Sequence, residues 1–177
     1  MAATALARLP ETTPHWNRSD TRGLARTRCV LCHGLGLVQG RLARVHPCRC
    51  VWRAIFRACL DRYRSIQAKQ ERGPLYSGVG VHAGSSGHRR GPQWQWKNLD
   101  YCADFVLVAR RELDPRHYQV FRLHFLEGRQ HRDCTLRLGL SRGNFFHAVY
   151  RIQQKLGQRF LELHPYGLWP LHTYFGD

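Results

Sequence analysis

The sequence predicts a mainly α protein: a small module held by two cysteine pairs, a helix that follows it, and then a four-helix domain with a helix-turn-helix. Three observations predict this. Four cysteines fall as Cys29-x-x-Cys32 and Cys48-x-Cys50. Apolar residues return at helical spacing from Cys50 to about Gln70, and again through residues 98–163. Between the last two helical stretches stands Leu138-Gly139-Leu140-Ser141, a glycine turn that ends on a capping residue.

The elements follow in order. Residues 1–25 mix Thr, Pro, Arg and Ala without periodicity and are expected to form a flexible basic arm. Residues 26–72 hold the cysteine module and its helix. Val51, Ile55, Cys59, Arg62 and Ile66 fall near one face of that helix, while Arg53, Arg57 and Arg64 mostly lie off it. Residues 73–97 are rich in Gly, Ser and Pro and read as a linker. Trp94 and Trp96 close it in an alternation that fits a short strand or a docking pair.

In the domain at residues 98–163, Cys102, Phe105, Val106, Ala109 and Leu113 mark the buried face of the first helix. Asp114 before Pro115 starts the second, which is expected to run to Glu127 and stop at Gly128. The third spans about Gln130 to Leu138. Ser141 caps a long fourth helix from Arg142 to about Leu163, with Phe145, Val149, Ile152 and Leu156 as its buried stripe. The aromatic tail, residues 164–177, is expected to strap back onto the helices.

The charge points to a polyanionic partner. There are 28 Lys+Arg against 12 Asp+Glu, a formal net charge of +16, because each phosphate neutralised releases counterions. Residues 1–97 carry 17 basic and 4 acidic side chains, residues 98–177 carry 11 and 8, so the cysteine half is the more basic. No apolar run approaches the ~18 residues of a membrane span, and the opening MAATALARLPETTPHW lacks the apolar core of a signal peptide. A reducing, cytoplasmic interior is therefore expected, where close cysteines read as metal ligands rather than disulfides. The 11 histidines make no recognised catalytic set and the acidic residues are unpaired, so no enzyme is expected.

Cys29, Cys32, Cys48 and Cys50 have the number and spacing of a tetrahedral, closed zinc site, which leaves no position for a reactive water. The first pair resembles a zinc knuckle, and Gly34 and Gly36 let the backbone turn its amides toward the sulfurs. The run from Cys29 to Gly36 is similar to half of a DnaJ-family cysteine-rich repeat, too little to carry over chaperone function. His33 or His46 in place of one cysteine, or an iron–sulfur cluster, stay open as alternatives. A thioredoxin-like redox pair would need a βαβ setting that is missing. Cys59, Cys102 and Cys134 sit on apolar helical faces and read as core.

The stretch LEGRQHRDCTLRLGLSRGNFFHAVYRIQQKL, Leu126 to Leu156, resembles the helix-turn-helix of region 4 of sigma-70-type factors. The shared residues are Leu126-Glu127-Gly128, Leu138-Gly139-Leu140-Ser141, Arg151 and Leu156. Gln130 departs from the family's capping Ser, and Cys134 fills a buried aliphatic position. The resemblance implies that Arg142, Asn144, Phe146 and His147 meet the major groove of double-stranded DNA and that Arg151 contacts a phosphate; Arg129 and Arg132, nearby in the sequence, are also candidate DNA-binding residues. Phe146 is unusual there and suits a thymine methyl or a protein surface. No sigma region 2 pattern is present, so this is not a complete sigma factor.

A sigma-like helix-turn-helix beside a zinc module resembles, in architecture, phage or prophage late-gene regulators, some of them antiterminators that engage DNA and RNA polymerase. It implies a sequence-specific DNA-binding transcription regulator, phage or prophage encoded, acting on the host's RNA polymerase by activation or antitermination. The alternatives are a zinc protein that binds nucleic acid without reading sequence, such as a DNA-packaging small subunit, or a polymerase-binding partner protein.

Overall fold

The computed structural model describes residues 21–40, 44–71 and 93–163, apart from the side chains of residues 71 and 93–97. Most of the expected arm and linker, and all of the aromatic tail, lie outside the described residues. The protein is mainly helical, with a small two-stranded sheet near its N-terminus.

Strands β1 (Leu37–Gln39) and β2 (Val45–Pro47) pair antiparallel, with Val38 opposite His46. They are three residues each, too short for alternation to announce them. Helix α1 runs from Arg49 to Glu71, α2 from Gln93 to Glu112 and α3 from Pro115 to Val120. A π-helical turn over Phe121–Leu126 extends α3, and α4 (His131–Leu138) and α5 (Arg142–Glu162) complete the chain.

Two expectations are corrected. Trp94 and Trp96 lie on α2, not at the end of a linker or on a strand. Gln-Trp-Gln-Trp-Lys contains no helix breaker, and an alternation of two aromatics is too weak to override that. The second helix of the domain is not uniform up to Glu127: the Glu127 amide reaches back five residues to the Arg122 carbonyl at 2.9 Å. Phe121, Leu123 and Phe125 are all buried there, at a spacing that a regular α-helix turns to different faces.

The helix ends obey local chemistry. Asp114 is extended and accepts the His117 amide at 3.0 Å, with Pro115 in the first turn. Ser141 does the same for the Asn144 amide at 3.2 Å. Gly128 and Gly139 adopt the left-handed conformation, at φ 67° and 60°, that the chain needs to leave a helix. The His117 amide, and then its ring, hold the Asp114 carboxyl below its ordinary range. A lowered folded-state pKa stabilises above the unfolded value, near pH 4, and that contribution fades as pH falls. Asp114→Ala should therefore cost about 1 kcal/mol in thermal melts at pH 7 and progressively less on acidification. A deficit that stays constant down to pH 3 would show that the cap is not what was lost.

The core is one cluster shared by α1, α2, the α3 extension and α5. Phe56, Phe105, Phe121, Phe145 and Phe160 are its largest fully buried side chains. Phe56 stacks parallel to Phe160 with centroids 6.3 Å apart and meets the edge of Phe125 at 4.9 Å. The expected stripe on α5 is buried as read, and Phe160 extends it. Cys59, Cys102 and Cys134 are buried as expected. The sequence separates α1 from the later helices by a long polar stretch, yet α1 lies directly along α5. Gly157 permits this: a Cβ there would stand 2.6 Å from the Trp52 carbonyl carbon and closer still to its oxygen. Among the described residues, no helix is long and apolar enough to cross a membrane.

Candidate metal centre and basic face

The knuckle is built by the backbone. His33, Gly34 and Gly36 take positive φ, so the chain doubles back within one turn. The His33 amide donates to the Cys29 carbonyl and the Leu35 amide to the Cys32 carbonyl, both at 2.8 Å. At Gly36 a Cβ would come within 2.5 Å of the Thr21 carbonyl oxygen, so only glycine fits. The Cys48 amide then donates to the Gly36 carbonyl at 2.8 Å, which fastens the second pair against the first.

All four sulfurs lie within 4.8 Å of one another. Across the halves, Cys29 and Cys48 stand 3.6 Å apart, as do Cys32 and Cys50. A tetrahedron of Zn–S bonds has edges of about 3.8 Å, so the site has the dimensions of a single four-coordinate ion. The cysteines are free thiols, each buried. Backbone amides face the sulfurs: those of Cys32 and Leu31 hold the Cys29 thiol down at about 6. Burial pushes Cys48 and Cys50 up, against the amides of Cys50 and Arg26 respectively. A thiol pushed up by burial ionises when a cation replaces its proton, which is the chemistry of a metal ligand.

Neither histidine joins the group. His33 is exposed, while the His46 ring shares a 3.0 Å contact with the Pro47 carbonyl and stacks on Trp52 at 5.8 Å. The donors are thus four thiols, close enough together for one ion and too close to stand around a cage of several irons. Four cysteines that could hold a metal are therefore present, in the geometry of a closed structural site.

The second feature is the face of α5. From Gly139 the chain turns, with the Leu140 amide donating to the Thr135 carbonyl at 3.0 Å, and Leu138 and Leu140 pack against the core. On α5, Arg142, Asn144, His147 and Arg151 are exposed, and the buried stripe faces the other way. Phe146 is not fully outward. It is half-buried, with its ring 5.8 Å from His131 and the Arg142 guanidinium 5.9 Å from its centroid. Arg129 is half-buried and paired with Glu127 at 2.9 Å, which Arg122 also approaches at 3.5 Å. Arg132 is exposed, with no carboxylate partner among the described residues.

The fold adds residues that sequence reasoning did not single out. A hollow of about 410 Å³ between α3 and α5 is lined by Arg116, His117, Asn144, His147 and Arg151. Beside it, a hollow of about 390 Å³ is lined by Arg49, Trp52, His117, Arg151 and Lys155. Arg49 comes from between the two metal-site cysteines, so no local motif could have joined it to α5. No protein-family model, curated protein or solved structure matches the chain.

Proposed function

We propose that the protein is a sequence-specific DNA-binding transcription regulator whose α4–Gly139–α5 segment acts as a helix-turn-helix and whose four thiolates hold a structural zinc ion. The observation that carries this reading is the division of α5: one face is fully packed, and the opposite face presents Arg142, Asn144 and His147 in its first two turns without carboxylate partners among the described residues. An exposed helix rich in donors is what base edges in a major groove require. The net charge of +16 supports the same partner. The likeness of Leu126–Leu156 to sigma region 4 supports action at a promoter together with RNA polymerase, in a phage or prophage setting within the bacterial cytoplasm. Zinc suits a closed all-thiolate site better than harder cations do, and its role there is to fold the module.

The test is selection of duplexes from a random pool. The parent should enrich one motif, and an Arg142→Ala/His147→Ala variant should lose preference for it by roughly thirtyfold or more, at about 1–3 kcal/mol per base contact. If that variant enriches the parent's motif with undiminished preference, α5 is not the recognition helix. The runner-up, binding without sequence reading, is supported by the excess of basic residues in the cysteine half. It predicts that the parent enriches no motif and yet retains duplex in a salt-dependent manner.

A further inference from the structure

We propose that the two hollows beside α5 form one phosphate-binding track, which leads a DNA strand from the first turns of α5 to the metal module and ends at Arg49. This rests on the DNA-binding reading and adds a contact surface that the helix-turn-helix motif does not contain.

Three observations carry it. His117 and Arg151 line both hollows, so the two adjoin. Their polar lining is mostly cationic or donating: Arg116, His147 and Arg151 in one, Arg49, Arg151 and Lys155 in the other. Asp114 is the carboxylate in the lining, and it is already engaged by the amide and ring of His117.

The length fits as well. Asn144 to Lys155 on α5 covers about 16 Å at 1.5 Å per residue, or about five nucleotides at 3.4 Å each along one strand. Arg49 lines the same hollow as Lys155, on the first residue of α1 and between Cys48 and Cys50. The metal centre therefore sets where this guanidinium stands. On this view the module extends the footprint of α5 by a phosphate contact that carries no sequence information.

The experiment measures binding of a mixed-sequence 30-base-pair duplex against salt for the metal-loaded full chain, Arg49→Ala and Arg57→Ala. Arg57 is exposed on the same helix and removes the same charge, but it lines a separate hollow with Arg26 and Tyr150. Arg49→Ala should flatten the log K against log salt slope by about 0.9 and weaken binding about fivefold near 0.15 M salt, with metal content unchanged. Arg57→Ala should keep the parent slope. Lys155→Gln should flatten the slope as Arg49→Ala does. If Arg49→Ala keeps the parent slope, or Arg57→Ala flattens it equally, the track is overturned and DNA binding by α5 stands. If the parent does not bind the duplex at all, both readings fall.

Discussion

Replacing Cys48 with Ser is expected to release the metal and unfold the segment from Thr21 to Pro47 while the helices stay folded. A serine hydroxyl does not ionise near neutral pH, so the variant keeps three thiolates around a site built for four. The module has little else to hold it. Its strands have three residues each, and Val30, Leu31, Leu35 and Val45 are exposed. In zinc-finger peptides the apparent binding energy of a structural ion is about 10–16 kcal/mol, as large as the whole stability of an ordinary domain, about 5–15 kcal/mol. The folding of such a module is therefore the binding of its ion. The helices have a separate source of stability in the cluster around Phe56, Phe105 and Phe160. Metal content of the purified protein should fall from about one ion per chain to near zero, with protease cutting within residues 21–47 and little loss of helical circular dichroism. Chelation of the parent should reproduce this. A stoichiometric ion retained by the serine variant would mean that Cys48 is not a ligand.

Gly157→Ala should destabilise the protein, against the intrinsic preference of the helix. On an isolated helix this change is favourable by about 1 kcal/mol. In the structure the new Cβ would meet the backbone of Trp52, 2.6 Å from its carbonyl carbon and 3.1 Å from its Cα. A backbone cannot rotate aside as a side-chain tip can, so α1 and α5 must separate along their contact. Separation opens the space between Phe56 and Phe160, which lie on those two helices. Overpacking typically costs 1–3 kcal/mol, and this contact belongs at the upper end, so a net loss of about 2 kcal/mol remains after the helix-propensity gain. That corresponds to a fall of roughly 6 °C in Tm for a chain of this size. Gly143→Ala is the control: nothing lies within 4 Å of its Cβ position, and the substitution should be neutral or mildly stabilising. A Tm for Gly157→Ala at or above the parent value would contradict the close packing of α1 on α5.

Much of the architecture was legible because it is written in short-range patterns. The Cys29–Cys32 and Cys48–Cys50 pairs, the caps at Asp114 and Ser141, the left-handed stops at Gly128 and Gly139, and the stripe from Phe145 to Leu156 each rest on spacings of a turn or two. What was not legible lacks such a pattern. Nothing in Phe-Arg-Leu-His-Phe-Leu announces a π-helical turn, since hydrogen-bond register is settled by which side chains the neighbouring helices cover. The start of α2 was hidden because a Trp pair is compatible with either a strand or a helix. Phe146 and Arg129 sat at outward positions of the motif, and only their neighbours, His131 and Glu127, show how far each is covered or neutralised.

The sequence by itself determined the two close cysteine pairs, the helix termini and the polar division of α5, because short spacings, capping oxygens and apolar periodicity act locally. Only the tertiary structure decided that histidine is absent from the sulfur cluster, that α1 shares its core with α5, and that Arg49 stands beside Arg151 and Lys155. The last two outcomes join residues about a hundred positions apart. They are set by where a backbone approach such as Trp52 on Gly157 is sterically possible, and by which apolar faces must cover one another to leave water.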